Sequence, residues 1–178
     1  LRCRLCLALR ASSKVRVYIP ATFGMLASLS ENGLIHARSG WAFAATKELQ
    51  EFFTSGDMEE IEAVAFDDAA LASIRLLAIG DEERFPHRRV VISADVEATG
   101  HPDMGESVVK LSAPVALEDV AAIHVDVQDA EEATKKAIAC IDAADLGDED
   151  AELAVGDAQD NYMAFYDPSE LPVLIELF

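Results

Sequence analysis

Between Val90 and Val127 apolar residues recur at every second position in three successive runs, and this pattern constrains the fold more than any other feature of the chain. Val90, Ile92, Ala94 and Val96 alternate with Val91, Ser93 and Asp95. Val109, Leu111 and Ala113 alternate with Val108, Lys110 and Ser112, and Ala121, Ile123, Val125 and Val127 with Ala122, His124 and Asp126. Period two puts neighbouring side chains on opposite faces of an extended chain, so each run reads as a strand with one apolar face. Turn-forming Thr99-Gly100-His101-Pro102-Asp103 separates the first two, and Pro114 closes the second. A fourth run of the same kind, Val15, Val17 and Ile19, alternates with Arg16 and Tyr18 and stops at Pro20.

Helical signals occupy the rest. Thr22 is placed to cap a short helix that Asn32-Gly33 ends. The loop from Ile35 to Gly40 leads to a second helix around Trp41–Phe53. Asp57 and Glu60 stand at capping-box spacing before the longest pattern, Met58 to Ile79, with Ile61, Ala65, Ala69, Ala72, Leu76 and Ile79 on one stripe. That pattern stops at Gly80-Asp81-Glu82-Glu83. Asp129 and Glu132 head a helix running to about Ala144, a short one lies near Ala151–Val155, and Asp167-Pro168 starts the last. One long helical stretch precedes three consecutive strands, which is the order of an α+β domain. The expected architecture is a mixed four-stranded sheet with helices packed mainly on one face. The first strand and the Val90 strand run parallel in it, through a right-handed crossover. A chain of 178 residues fills one such domain.

Charge narrows the partners. The chain holds 33 acidic and 14 basic side chains, a formal net charge of −19. Phosphate binding needs clustered positive charge, so nucleic acid is excluded as a partner, and anionic membrane surfaces are disfavoured. No apolar stretch approaches the roughly 20 residues of a membrane span. A protein with a basic surface is the complementary partner. The apolar tail Leu174-Ile175-Leu177-Phe178 needs cover, from its own core or from a twin chain in a homodimer. Of the three cysteines, Cys140 sits in a helical pattern as a buried free thiol, and three is no disulfide framework, so the expected compartment is the cytoplasm.

Residues 1–14 break with the remainder. They carry Arg2, Arg4, Arg10 and Lys14 and no acid, whereas the other residues carry 10 basic and all 33 acidic side chains. A targeting peptide would look basic and apolar like this, yet Leu5–Leu9 is shorter than its usual apolar core. Cys3-x-x-Cys6 is half of a redox or zinc pattern with no second pair. The preferred reading is an upstream extension outside the folded domain, with residues 15–178 as the domain and Val15 standing at an alternative start codon.

From Val15 the stretch Val15-Arg16-Val17-Tyr18-Ile19-Pro20-Ala21-Thr22 resembles a family of uncharacterised actinobacterial proteins whose members begin M-R-V-Y-I-P-A-T. The likeness continues through Arg38-Ser39-Gly40, Ala42-Phe43-Ala44, Arg75-Leu76-Leu77, Arg89-Val90-Val91, His124-Val125-Asp126, Ala143 to Glu152 and Glu170-Leu171-Pro172. It covers nearly all of residues 15–178. The resemblance implies no activity and no catalytic residues; it does imply that residues 1–14 precede the family's domain.

Candidate chemistry comes from the polar faces of the strands: Arg16 and Tyr18, Ser93 and Asp95, Lys110 and Ser112, His124 and Asp126. His124 and Asp126, two positions apart, lie about 7 Å from each other along one face, within range for a general base beside a carboxylate. Asp95 and Tyr18 are the candidates to join them from neighbouring strands. The ordinary alternative is a solvated face with cross-strand charge pairs. Arg16 and Arg38 are candidate ligand-binding cations, Arg38 in a glycine-containing loop that suits a carboxylate or phosphate. Asp68 and Arg75, seven apart on the long helix, read as an ion pair. The five carboxylates of Asp145–Glu152 fit no calcium loop and read as an acidic turn. No motif calls for a metal or a cofactor, and the common hydrolase, nucleotide-binding and zinc-peptidase signatures are missing. Two functional readings follow. One is a non-catalytic interaction or regulatory module; the other is a small enzyme or ligand-binding protein using the sheet face around His124 and Asp126.

Overall fold

The computed structural model describes residues 13–80 and 84–177. The segment with Cys3-x-x-Cys6, the acidic stop at residues 81–83 and the terminal Phe178 lie outside the described residues, and with them the readings placed there.

Strand β1 (Val15–Ala21) leads into helix α1 (Phe23–Asn32). Thr22 Oγ1 accepts from the Met25 amide at 3.3 Å, and Gly33 ends the helix at φ +70°, a left-handed conformation that glycine adopts without cost. Then come β2 (Leu34–Ile35), β3 (Trp41–Phe43), α2 (Lys47–Phe52) and α3 (Met58–Ile79). The capping box of Asp57 and Glu60 forms as its spacing demands, with the Glu60 amide 2.9 Å from Asp57 Oδ1. Strands β4 (Val90–Val96), β5 (Ala98–Gly100), β6 (Val108–Leu111), β7 (Val115–Ala116) and β8 (Val120–Asp126) follow. Helices α4 (Glu131–Asp145) and α5 (Glu149–Gln159), strand β9 (Met163–Tyr166) and helix α6 (Leu171–Glu176) complete the order.

The class is α+β, but the sheet has seven strands rather than four, in the order β5-β6-β3-β1-β4-β8-β9, with β2 and β7 as a separate pair. Nor is it mixed, since every pairing among the described residues is antiparallel. The correction starts at Trp41–Phe43. Those residues form a strand, not the start of a helix; α2 begins only after Thr46, whose hydroxyl caps it at the Leu49 amide. Strand β3 lies beside β1 and antiparallel to it, so the helical crossover joins β3 to β4 and straddles β1, leaving β1 and β4 antiparallel. Pro20 does not end β1. The β4 ladder continues through Ala21, while the β3 ladder stops at Tyr18, short of the residue that lacks a donor.

Helices cover both faces, not mainly one. Val17, Ile19, Val90, Ile92, Ile123 and Val125 pack with Phe23, Leu26 and Leu29 of α1 and Leu171 and Leu174 of α6. On the other face Tyr18 and Val91 meet Ile61, Ala65, Ala69 and Ala70 of α3. A third cluster, Ile74 with Ala137, Ile141, Val155 and Ala158, holds α4 and α5 against α3. The buried stripe of α3 turns to Ser73 and Ile74, leaving Ile79 exposed, because its C-terminal half packs against α4 as well as the sheet. Ser73 fastens α3 in place: its hydroxyl donates to the Ala21 carbonyl at 2.7 Å and accepts from the Val90 amide at 3.0 Å.

Several local pairings differ from expectation. Arg75 bonds Asp145 of α4 at 2.9 Å, while Asp68 accepts from Ser107 at 2.6 Å, so these two helix residues do not pair. The acidic turn is occupied by this bond and by Asp148, which caps α5. No side chain caps α4, whose N-cap is Ala130 after a turn of 3-10 helix, so the Asp129 and Glu132 signal is not used. Cys140 is free and half-buried, not buried. Among the described residues no helix is long and apolar enough to cross a membrane.

Candidate functional site

Register brings the polar residues of three adjacent strands together on the face that carries α3. Arg16 of β1 stands opposite Asp95 of β4, Tyr18 opposite Ser93, and Ser93 in turn opposite Ala122 of β8, two positions from His124. The N-terminal half of α3 passes over them, with Glu59, Glu62 and Phe66 at i, i+3 and i+7 on one helix face. Strand β9 closes the side with Phe165, paired with His124. These elements enclose an open groove of about 420 Å³. A second lobe of about 430 Å³, between β1, α2 and the β5–β6 edge, shares Arg16 and Glu62 with the first.

His124 forms the floor. Its Nε2 lies 3.1 Å from Ser93 Oγ, a bond that either tautomer can make because a hydroxyl both donates and accepts. The ring stands edge-on to Phe66, with centroids 4.8 Å apart, and to Phe165 at 5.8 Å. Phe66 also meets Tyr18 edge-on at 5.8 Å, so four rings run in series along the groove. Burial, reinforced by the charge of Arg16, lowers the imidazole's pKa to about 4. The ring is therefore neutral at pH 7. Burial, with Glu62 nearby, raises the Tyr18 phenol above its ordinary range.

Arg16 is a cation already engaged. Its Nε and Nη2 reach the two oxygens of Asp95 at 2.7 and 3.0 Å, a fork that raises its own pKa and lowers that of Asp95. Glu59 and Glu62 at the rim carry no such partner among the bonds formed by described residues, so they set the sign of the groove.

Asp126 does not join His124. Although on the same strand face, it is 1% exposed and holds Arg89, itself 2% exposed, with Nε and Nη2 at 2.7–3.2 Å. Thr134, Gln159 and the Asn161 carbonyl satisfy the remaining groups of this pair. A buried ion pair bonded this completely fixes α4 and α5 to the end of β8 and has nothing left for a ligand. Arg38 is exposed on a 3-10 turn and lines neither lobe. Lys110 lies over the Trp41 ring, 4.3 Å from its centroid. Among the described residues no group of three or more His, Cys, Asp or Glu is arranged to hold a metal ion.

Of the residues singled out in the sequence, Arg16, Tyr18, Ser93, Asp95 and His124 are brought together, and Glu59, Glu62, Phe66 and Phe165, which were not singled out, join them. The spacing of the three α3 residues is a signal in the sequence, but the strands that they cover are not. A general base works best with a pKa near the working pH. An imidazole near 4 is roughly a thousandfold short of that in basicity, and its hydroxyl partner Ser93 is 2% exposed, out of reach as a nucleophile.

A family model whose description is a family of unknown function matches residues 15–175. No curated protein and no solved structure matches the chain.

Proposed function

The chain belongs to the DUF6912 family, a family of unknown function, and from that premise we propose that it is a non-catalytic binding module of the cytoplasm whose groove receives a cationic group from a protein partner. One observation carries this reading: the rings of Tyr18, Phe66, His124 and Phe165 line a groove with Glu59 and Glu62 as its unpaired charges. Aromatic faces and edge carboxylates attract an ammonium or guanidinium group, which gains cation–π and Coulomb energy together. Arg16 opposes this only in part, since Asp95 at bonding distance offsets much of its charge. The net charge of −19 speeds the approach of a basic partner and repels nucleic acid. The free thiol of Cys140 fits a reducing compartment.

Calorimetric titration with the peptide acetyl-Lys-Thr-Lys-Val-Lys-Thr-Lys-amide tests the reading, with the glutamate counterpart as control. The lysine peptide binds and the glutamate peptide does not. E59Q/E62Q and Phe165→Ala each weaken binding by about fivefold or more, the scale of a one-kilocalorie contact. E149Q/E152Q, on the exposed face of α5, leaves it within about twofold, the change expected from long-range charge alone. Equal losses from the groove and α5 variants would reduce the interaction to bulk charge and sink the proposal.

A further inference from the structure

The groove opens beside β9, the last strand of the sheet, which is hydrogen-bonded to β8 alone. An edge strand presents unpaired amides and carbonyls, and proteins commonly blunt such an edge with lysine, proline, a bulge or an inward charge. Met163-Ala164-Phe165-Tyr166 has none of these, and it pairs with β8 in unbroken register from Met163 opposite Asp126 to Tyr166 opposite Ile123. Phe165 is 61% exposed, and Tyr162 just before the strand 70%. The other edge, β5, is only three residues long and closes on Gly100, with Pro102 two residues beyond.

We propose that β9 is a docking edge: an extended basic segment of a partner protein adds to it as a further strand and lays a lysine or arginine across Phe165 into the mouth of the groove. This rests on the reading of the groove as a cation site and states how the cation is delivered. Directly paired residues of adjacent strands share a face, so the residue opposite Phe165 projects on the side of His124 and α3. A long aliphatic stem then lies along Phe165 and turns its charged end toward the groove that Glu59 and Glu62 line from α3. Main-chain bonds give such a complex its affinity, and alternate side chains its selectivity.

Charge fixes the kind of partner. No Lys, Arg or His follows Lys136 in the chain. Exposed Asp157 and Asp160 precede β9, and exposed Asp167 and Glu170 follow it, so both ends of the edge are acidic. These flanks also disfavour a second copy of the chain, because an antiparallel β9–β9 pair would bring acidic ends alongside each other.

The lysine peptide is the probe, with two derivatives N-methylated on alternate residues in opposite phases. Strand addition uses only the amides that face β9, so methylation in one phase weakens binding about tenfold or more while the other phase stays within about threefold. Amide hydrogen exchange at residues 163–166 slows when the unmethylated peptide is bound. If both derivatives bind like the parent, or both lose equally with no slowing at 163–166, edge docking is overturned while the groove reading stands on E59Q/E62Q. If the parent peptide is insensitive to E59Q/E62Q, both fall. A chain that is dimeric without peptide, and already protected at 163–166, assigns the edge to a second copy and overturns the proposal.

Discussion

His124 shows how one residue's surroundings set its chemistry. Desolvation under Phe66 and Phe165 outweighs everything else acting on the ring and takes its pKa from 6.5 to about 4. The unfolded chain therefore binds a proton there between pH 6.5 and about 4 that the folded chain refuses, so folding stability falls as pH drops through this window. The full shift would be worth about 3 kcal/mol, and solvent screening of a partly exposed ring reduces it to roughly 1–2 kcal/mol. Asp67, raised by burial, acts in the opposite direction, and Asp95, lowered by Arg16, loses its contribution only below its ordinary carboxylate range. His124→Gln isolates the histidine. Urea melts at pH 7 and 4.5 should differ by roughly 1–2 kcal/mol less in the variant than in the parent. An NMR titration that finds His124 protonating near 6.5 would refute the burial argument.

Among the elements, α3 decides the position of the groove, and its placement depends on a small polar contact inside an apolar layer. Alanines at 65, 69 and 70 leave the helix free to lie close on Tyr18 and Val91. Ser73 fixes how far along the sheet it sits, joining the end of β1 to the start of β4 through two bonds. Ser73→Ala keeps helix propensity but leaves a buried carbonyl and a buried amide without that partner. The expected cost is about 2 kcal/mol, within the range for unsatisfied buried groups, read from the shift in urea midpoint. Because α3 carries Glu59 and Glu62, affinity for the lysine peptide should fall as well. A neutral effect on stability would mean that apolar packing alone seats the helix.

For the whole molecule, the question is whether self-repulsion or local pairing dominates an acidic surface. The ion pairs Arg16–Asp95, Arg75–Asp145 and Lys47–Glu51 are all substantially exposed, and pairs of this kind contribute about 0–1 kcal/mol each. A net charge of −19 acts over the entire surface. Raising sodium chloride from about 20 to about 200 mM shortens the screening length from roughly 20 to 7 Å, which weakens repulsion between distant acids more than bonded pairs. The melting temperature should rise by a few degrees, as calorimetry would show. A fall would give the pairs the larger role.

Local rules sufficed for most pairings within one turn or one strand, the unused Asp129–Glu132 spacing excepted. The Asp57–Glu60 box, the Thr22 cap, the Gly33 stop, the strands starting at Val15 and Val90 and the strand through Ile123 and Val125 follow from spacing alone, as does the α+β class. So does the placing of Arg16, Tyr18, Ser93 and His124 on polar strand faces. Strand number, order and direction depend on contacts far apart in the chain. Trp41–Phe43 is a strand because β1 and β6 lie on either side of it, and Met163–Tyr166 because β8 offers an edge. The same holds for the site. His124 and Asp126 share one strand face, yet tertiary packing sends Asp126 to Arg89 and His124 to Ser93 and the rings, because burial requires each polar group to find its own partner.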